Sequence, residues 1–99
     1  MKNPIATRVL VCTMNGRDQQ VSIDIGQPYE AESCFYCEYA ISLGGKTEEY
    51  SICGLDGIQA LQLAIFMVSS TLNNLGDAKN WRLNGEPGTG FSTEPDPRE

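Results

Sequence analysis

Cys34 and Cys37 stand with two residues between them, the spacing of zinc knuckles and of redox-active dithiols. A specific zinc signal needs a second such pair, and Cys12 and Cys53 do not supply one. On a β-strand the two sulfurs would point to opposite faces, which a chelate cannot use. In a chain without a secretory signal the default is reduced thiols, which pack as small hydrophobes. A labile disulfide between Cys34 and Cys53 on a shared face is the alternative. No metal and no cofactor is expected.

Histidine is absent. The commonest general base, the usual partner of Ser and Cys nucleophiles and the commonest metal ligand are thereby lost together. Carboxylates remain at Asp24, Glu38, Glu48 and Glu49, but adjacent strand residues face opposite ways and do not converge on a substrate. Asp56, just ahead of an apolar run, reads as a helix cap. Gly85 to Gly90 has the glycines of a phosphate-cradling loop without its lysine or following helix, and reads as a flexible connection. The chain is expected not to be an enzyme. The rival expectation is a small-molecule-binding or enzymatic domain with a cleft lined by Tyr29, Tyr36, Tyr39, Tyr50 and nearby acids.

Any such side chains need a scaffold, and 99 residues with 40% hydrophobic content provide one small core. Residues 1–91 read as a single α+β domain, and residues 92–99, rich in acids and proline, as a mobile tail. Thirteen acids against 7 bases give a net charge of −6, which repels a phosphate backbone, so no nucleic-acid partner is expected. The N-terminus carries no cleavage signal, and the chain reads as cytoplasmic. A charge-free run extends from Gly57 to Gly76. Its continuous apolar stretch, Leu63 to Val68, is too short to cross a bilayer, so no membrane association is expected.

Ile5 to Met14 is β-branched and apolar, and Asn15-Gly16 marks a hairpin turn. The return strand alternates, with Val21, Ile23 and Ile25 on one face. A three-residue loop would oppose Val11 to Val21, whereas a two- or four-residue loop would bring Leu10 and Cys12 to the buried face. Tyr29 to Ser33 reads as a polar connection. A second hairpin turns at Gly44-Gly45, with Phe35, Cys37, Tyr39 and Ile41 matched by Glu48, Tyr50 and Ile52. A two-residue turn there sets Tyr39 opposite Tyr50 and Cys37 opposite Ile52, leaving Cys34, Tyr36 and Cys53 on the other face.

The helix should start at Asp56, with Gln59 in capping-box position, and end at Gly76 in a left-handed stop. Ile58, Leu61, Ile65, Val68, Leu72 and Leu75 form the stripe expected to cover the sheet, with Ala60, Ala64 and Met67 widening it. The fold class is therefore α+β: two β-hairpins forming a four-stranded antiparallel sheet, with one long helix across one face (ββββα). Trp81 and Leu83 can anchor the following segment, with Phe91 as its last contact.

Leu63 and Phe66 fall on the opposite side of the helix, among Gln59, Gln62, Ser70 and Asn73. Either the C-terminal segment folds back over them through Trp81 or Phe91, or these six residues form an interface. The partner would be a second copy, giving a homodimer, or another protein. Small size and negative charge also suit an immunity-type protein that neutralises a basic toxin.

Cys37-Glu-Tyr39-Ala-Ile41 is similar to a C-x-aromatic-x-I strand, and Gly54-Leu-Asp56-Gly-Ile-Gln59-Ala60-Leu61 to a G-x-D-x-x-Q-A-L helix start. With Ile25-Gly26-Gln27-Pro28 upstream, the chain resembles a family of small bacterial domains of unknown function. The resemblance implies a strand-strand-helix core and a bacterial source, so that a heterologous partner would be a bacterial protein. It implies no activity.

Overall fold

The computed structural model describes residues 3–91, so the tail expected at 92–99 lies outside the described residues. Two hairpins dominate. β1 (Pro4–Met14) and β2 (Arg17–Gly26) pair antiparallel from Met14↔Arg17, a two-residue turn in which Asn15 and Gly16 take φ of 53° and 77°. That turn decides the open register. Leu10 pairs with Val21 and Cys12 with Gln19, so Leu10 and Cys12 join Val21, Ile23 and Ile25 on the buried face. Val9, on the other face, is 46% exposed.

β3 (Tyr29–Ala31) and β4 (Cys34–Leu43) follow, then β5 (Lys46–Gly54). β4 pairs with β5 across Gly44-Gly45, placing Tyr39 opposite Tyr50 and Cys37 opposite Ile52 as expected. The two tyrosine rings stack with centroids 4.9 Å apart.

The sheet is wider than the four strands expected. Its order is β5-β4-β2-β1-β6-β7, where β6 (Trp81–Leu83) pairs with β1 and β7 (Glu86–Pro87) with β6. β3, expected as a polar connection, lies on the same side of β4 as β2 and continues its line with one extra residue in the register. The break falls at Gly26-Gln27-Pro28, where proline has no N–H to give the ladder. The segment expected as a flexible glycine-rich connection instead contains a hairpin. Its turn, Asn84-Gly85 with φ of 51° and 84°, repeats the chemistry of Asn15-Gly16.

α1 (Gly57–Leu75) lies across β4 and β5 and reaches β2. Its buried line is Ala60, Ala64, Val68 and Leu72, and Ser69 is buried beside it. The expected stripe is corrected at both ends, since Ile58 is 66% exposed and Leu75 42% exposed. Gly76 is corrected too. Its φ of −164° is extended, and its need for glycine is spatial: a Cβ there would stand 3.0 Å from Cys12 Sγ.

A 3-10 turn (Ala78–Asn80) leads from α1 to β6. Trp81 then lies fully buried opposite Cys12, its indole N–H donating to the Gly76 carbonyl at 3.4 Å. Leu83 and Phe91 pack against the same core. Among the described residues no helix is long and apolar enough to cross a membrane.

Candidate binding surfaces

The G-x-D-x-x-Q-A-L stretch resolves into a structural device. Asp56 accepts the Gln59 N–H at 2.8 Å, and the Gln59 side chain accepts the Leu55 N–H at 2.7 Å, a reciprocal cap. Gly54 lets the first turn approach β5, because a Cβ there would lie 2.6 Å from the Ala60 nitrogen. Ala60, small and fully buried, completes the contact. These residues hold the helix to the sheet, and Asp56 is occupied as a cap.

On the outward side of α1, Gln59, Gln62, Ser70 and Asn73 are exposed, while Leu63 and Phe66 are half-buried. The large exposed apolar side chains at or beside the helix are instead Leu55, Ile58 and Leu75. Phe91 does dock, but it lines a cleft with Ile65 and its ring carries the Arg8 guanidinium at 4.5 Å.

A second cleft, of 160 Å3, opens between β5 and the last turns of α1. Ile41, Leu43 and Leu75 line it with hydrocarbon, and Lys46, Glu48, Tyr50 and Thr71 add polar groups. Tyr50 donates its hydroxyl to Glu48 at 2.8 Å, and this bond, with burial, raises its phenol above the ordinary value. Burial raises Tyr39 beneath it, against a hydrogen bond with Thr71. Phenols held protonated at neutral pH donate hydrogen bonds and do not serve as bases. Of the tyrosine set considered from sequence, Tyr39 and Tyr50 meet here. Tyr29 and Tyr36 pair on the other face of the sheet, with ring centroids 5.8 Å apart. Lys46, Thr71 and Leu75 carry no sequence signal for a cleft, because only the packing of α1 on β5 brings them together.

Among the described residues, no helix packs on that other face. Cys34 and Cys53 are joined there by a disulfide, Cα atoms 6.2 Å apart, whereas Cys12 and Cys37 are free and buried. The expectation of reduced thiols thus holds for one pair and gives way for the other, whose positions on adjacent strands were within bridging reach. At the β1–β2 end, Thr13 and Arg82 hydrogen-bond Asp18 and hold its carboxyl below the usual range. Among the described residues no three His, Cys, Asp or Glu side chains gather as a metal site.

One helix laid on an antiparallel sheet through a capped, glycine-mediated start defines a small α+β domain of ββββα core with an added hairpin. The chain belongs to a family described as a domain of unknown function, DUF6968, whose model matches residues 6–93. No curated protein and no solved structure matches it.

Proposed function

We propose that the protein is a non-enzymatic protein-binding module that takes an extended segment of a partner into the groove between β5 and the end of α1. The observation that carries this reading is where the cleft lies. β5, at the margin of the sheet, supplies Lys46, Glu48 and Tyr50 to one wall, and α1 supplies Thr71 and Leu75 to the other. Strand addition uses such a site: backbone hydrogen bonds join the edge, and alternate side chains enter an adjoining pocket. At 160 Å3 the cleft suits one aliphatic or aromatic side chain. The net charge of −6 and Glu48 favour a segment carrying Lys or Arg, as an immunity-type protein facing a basic partner would require. The absence of histidine supports a non-enzymatic role.

Selecting random extended peptides on the full chain tests the reading. Enriched peptides should combine one aliphatic residue with Lys or Arg. Their binding should fall at least about tenfold in Leu75→Lys and in Glu48→Lys, both at exposed positions. Enrichment that ignores both substitutions, or no enrichment, refutes it.

A second reading is self-association through the outward helix face of Gln59, Gln62, Leu63, Phe66, Ser70 and Asn73, favoured by two apolar side chains on a charge-free helix. Light scattering on the wild type and on Leu63→Lys with Phe66→Lys separates the two. A wild type monomeric at every concentration removes this reading, and an unfolded double variant shows that the face is internal.

A further inference from the structure

The cleft between β1, β2 and α1 has a guanidinium on its wall. Arg8 lies half-buried on β1, opposite Ile23 of β2. Among the described residues no carboxylate forms an ion pair with it. A guanidinium drawn out of water is ordinarily matched by an acid, because its desolvation is otherwise uncompensated.

The loop after β7 holds this guanidinium in place. Arg8 Nη1 donates to the Thr89 carbonyl at 3.3 Å, and the group lies over the Phe91 ring, 4.5 Å from its centroid. Between them Gly90 takes a φ of 78°, and a Cβ there would stand 2.8 Å from Arg8 Nη1 and 2.8 Å from Leu83 Cδ2. Glycine is what allows the loop to close on Arg8. Thr89 is itself buried, its hydroxyl accepting the Phe91 N–H at 3.2 Å. An arginine has five N–H donors, and the contacts described engage one.

Arg8 also lines a cleft of 190 Å3 whose other walls are Ala6, Thr7, Ile23, Ile25, Ile65 and Phe91, the Thr7 hydroxyl being taken up by Asp24 at 2.6 Å. We propose that this cleft binds a small apolar monocarboxylate, with the carboxylate on Arg8 and the hydrocarbon body against Ile23, Ile25, Ile65 and Phe91. A single fork-shaped cation matches one carboxylate, whereas a phosphate group would call for further cations or a nest of backbone N–H groups. The aliphatic and aromatic walls exclude a sugar, which would leave its hydroxyls unpaired. A dry cavity of about 150 Å3 accepts benzene, so this cleft holds a body on the order of seven or eight non-hydrogen atoms. The site is separate from the β5 groove and does not rest on the peptide-binding reading.

The test is titration of the full-length protein with 4-methylpentanoate and, separately, 4-methylpentanamide, followed by NMR of the Ile23, Ile25 and Ile65 methyls and the Phe91 ring. The acid should shift these resonances saturably, and the amide should bind at least about tenfold more weakly. Arg8→Gln should weaken the acid by a similar factor and leave the amide unchanged, while Arg8→Lys keeps part of the acid affinity. Resonances unmoved by the acid, equal affinity for acid and amide, or undiminished acid binding in a folded Arg8→Gln variant would overturn the proposal. Should Arg8→Gln fail to fold, the acid and amide comparison on the wild type decides.

Discussion

Replacing Gly54 by alanine tests whether the family's helix-start motif is a packing device. The added Cβ would stand 2.6 Å from the Ala60 nitrogen, 2.9 Å from its Cα and 3.1 Å from the Gln59 carbonyl carbon. All three are backbone atoms, so no side chain can swing aside. Since ordinary contact begins at 3.4 Å, the first turn of α1 has to retreat by about 0.8 Å. Gly54 has no positive φ, so the cost is steric alone. Overpacking of this kind costs about 2 kcal/mol, and alanine's smaller unfolded-state entropy returns about 0.5. The net loss of about 1.5 kcal/mol corresponds to a melting temperature lower by roughly 6–12 °C in a chain of this size. Trp81, the single tryptophan and fully buried, reports unfolding in urea directly. Gly57→Ala is the internal control. Its Cβ would meet only the Pro28 Cβ, at an ordinary 3.6 Å, and alanine in the first helical turn should stabilise by about 0.5 kcal/mol. A Gly54→Ala variant as stable as the wild type, or less perturbed than Gly57→Ala, would refute the reasoning.

Ser69 is 1% exposed and its hydroxyl has no partner among the described residues, so Ser69→Ala should raise the urea midpoint by the equivalent of about 0.5–1 kcal/mol. A loss of stability would show that the hydroxyl is engaged. Reducing the Cys34–Cys53 disulfide, which spans a sequence separation of 19, should cost about 3 kcal/mol on the chain-entropy estimate. Urea midpoints with and without dithiothreitol measure this, and a thiol reagent should find no reactive cysteine in the oxidised native state. Alkaline pH should destabilise the fold. Burial raises the Cys12 and Cys37 thiols above 9.0 and the Tyr39 phenol above 10.0, and the bond to Glu48 together with burial raises Tyr50. Each folded-state value exceeds the unfolded one. Their contribution is therefore complete below pH 9 and is lost as pH rises through the raised values. Urea midpoints from pH 7 to 10.5 should be level and then fall, and a midpoint that rises above pH 9 would contradict the assignment.

Much of the fold was legible because its causes are local. Asn15-Gly16 and Gly44-Gly45 accept positive φ, Val21 to Ile25 and Phe35 to Ile41 alternate, and Asp56 with Gln59 forms a cap within four residues. The same turn signal stood at Asn84-Gly85. The strands beside it are only three and two residues long, too short for an alternating pattern to show. The inner face of the helix was legible, Ala60 and Ala64 included, but not which line along that face lies deepest. The buried line through Ala60, Ala64, Val68 and Leu72 is turned by roughly 50° from the stripe of larger residues. Burial followed where the chain could approach most closely, at Gly54 and Ala60, rather than where the side chains were most apolar.

The candidate sites divide along the same line. From composition and spacing alone follow the lack of histidine chemistry, the acidic charge, the two hairpins with the Tyr39–Tyr50 pair, and the position of the helix start. The first two are whole-chain composition, and the hairpins and the helix start are properties of residues within about twenty positions of one another, where turn and capping energies act without help from the rest of the chain. Tertiary structure alone decided the two-residue first turn, the placing of β6 against β1, the Cys34–Cys53 disulfide, the groove beside β5 and the Arg8 cleft. Arg8 and Thr89 are 81 positions apart. Their meeting depends on a chain that first pairs β1 with β2, then covers the sheet with α1, and only afterwards returns along the far edge of β1. No periodicity within either segment encodes that distance, because the energy that closes it comes from burying Trp81, Leu83 and Phe91 against a core the earlier strands have already built.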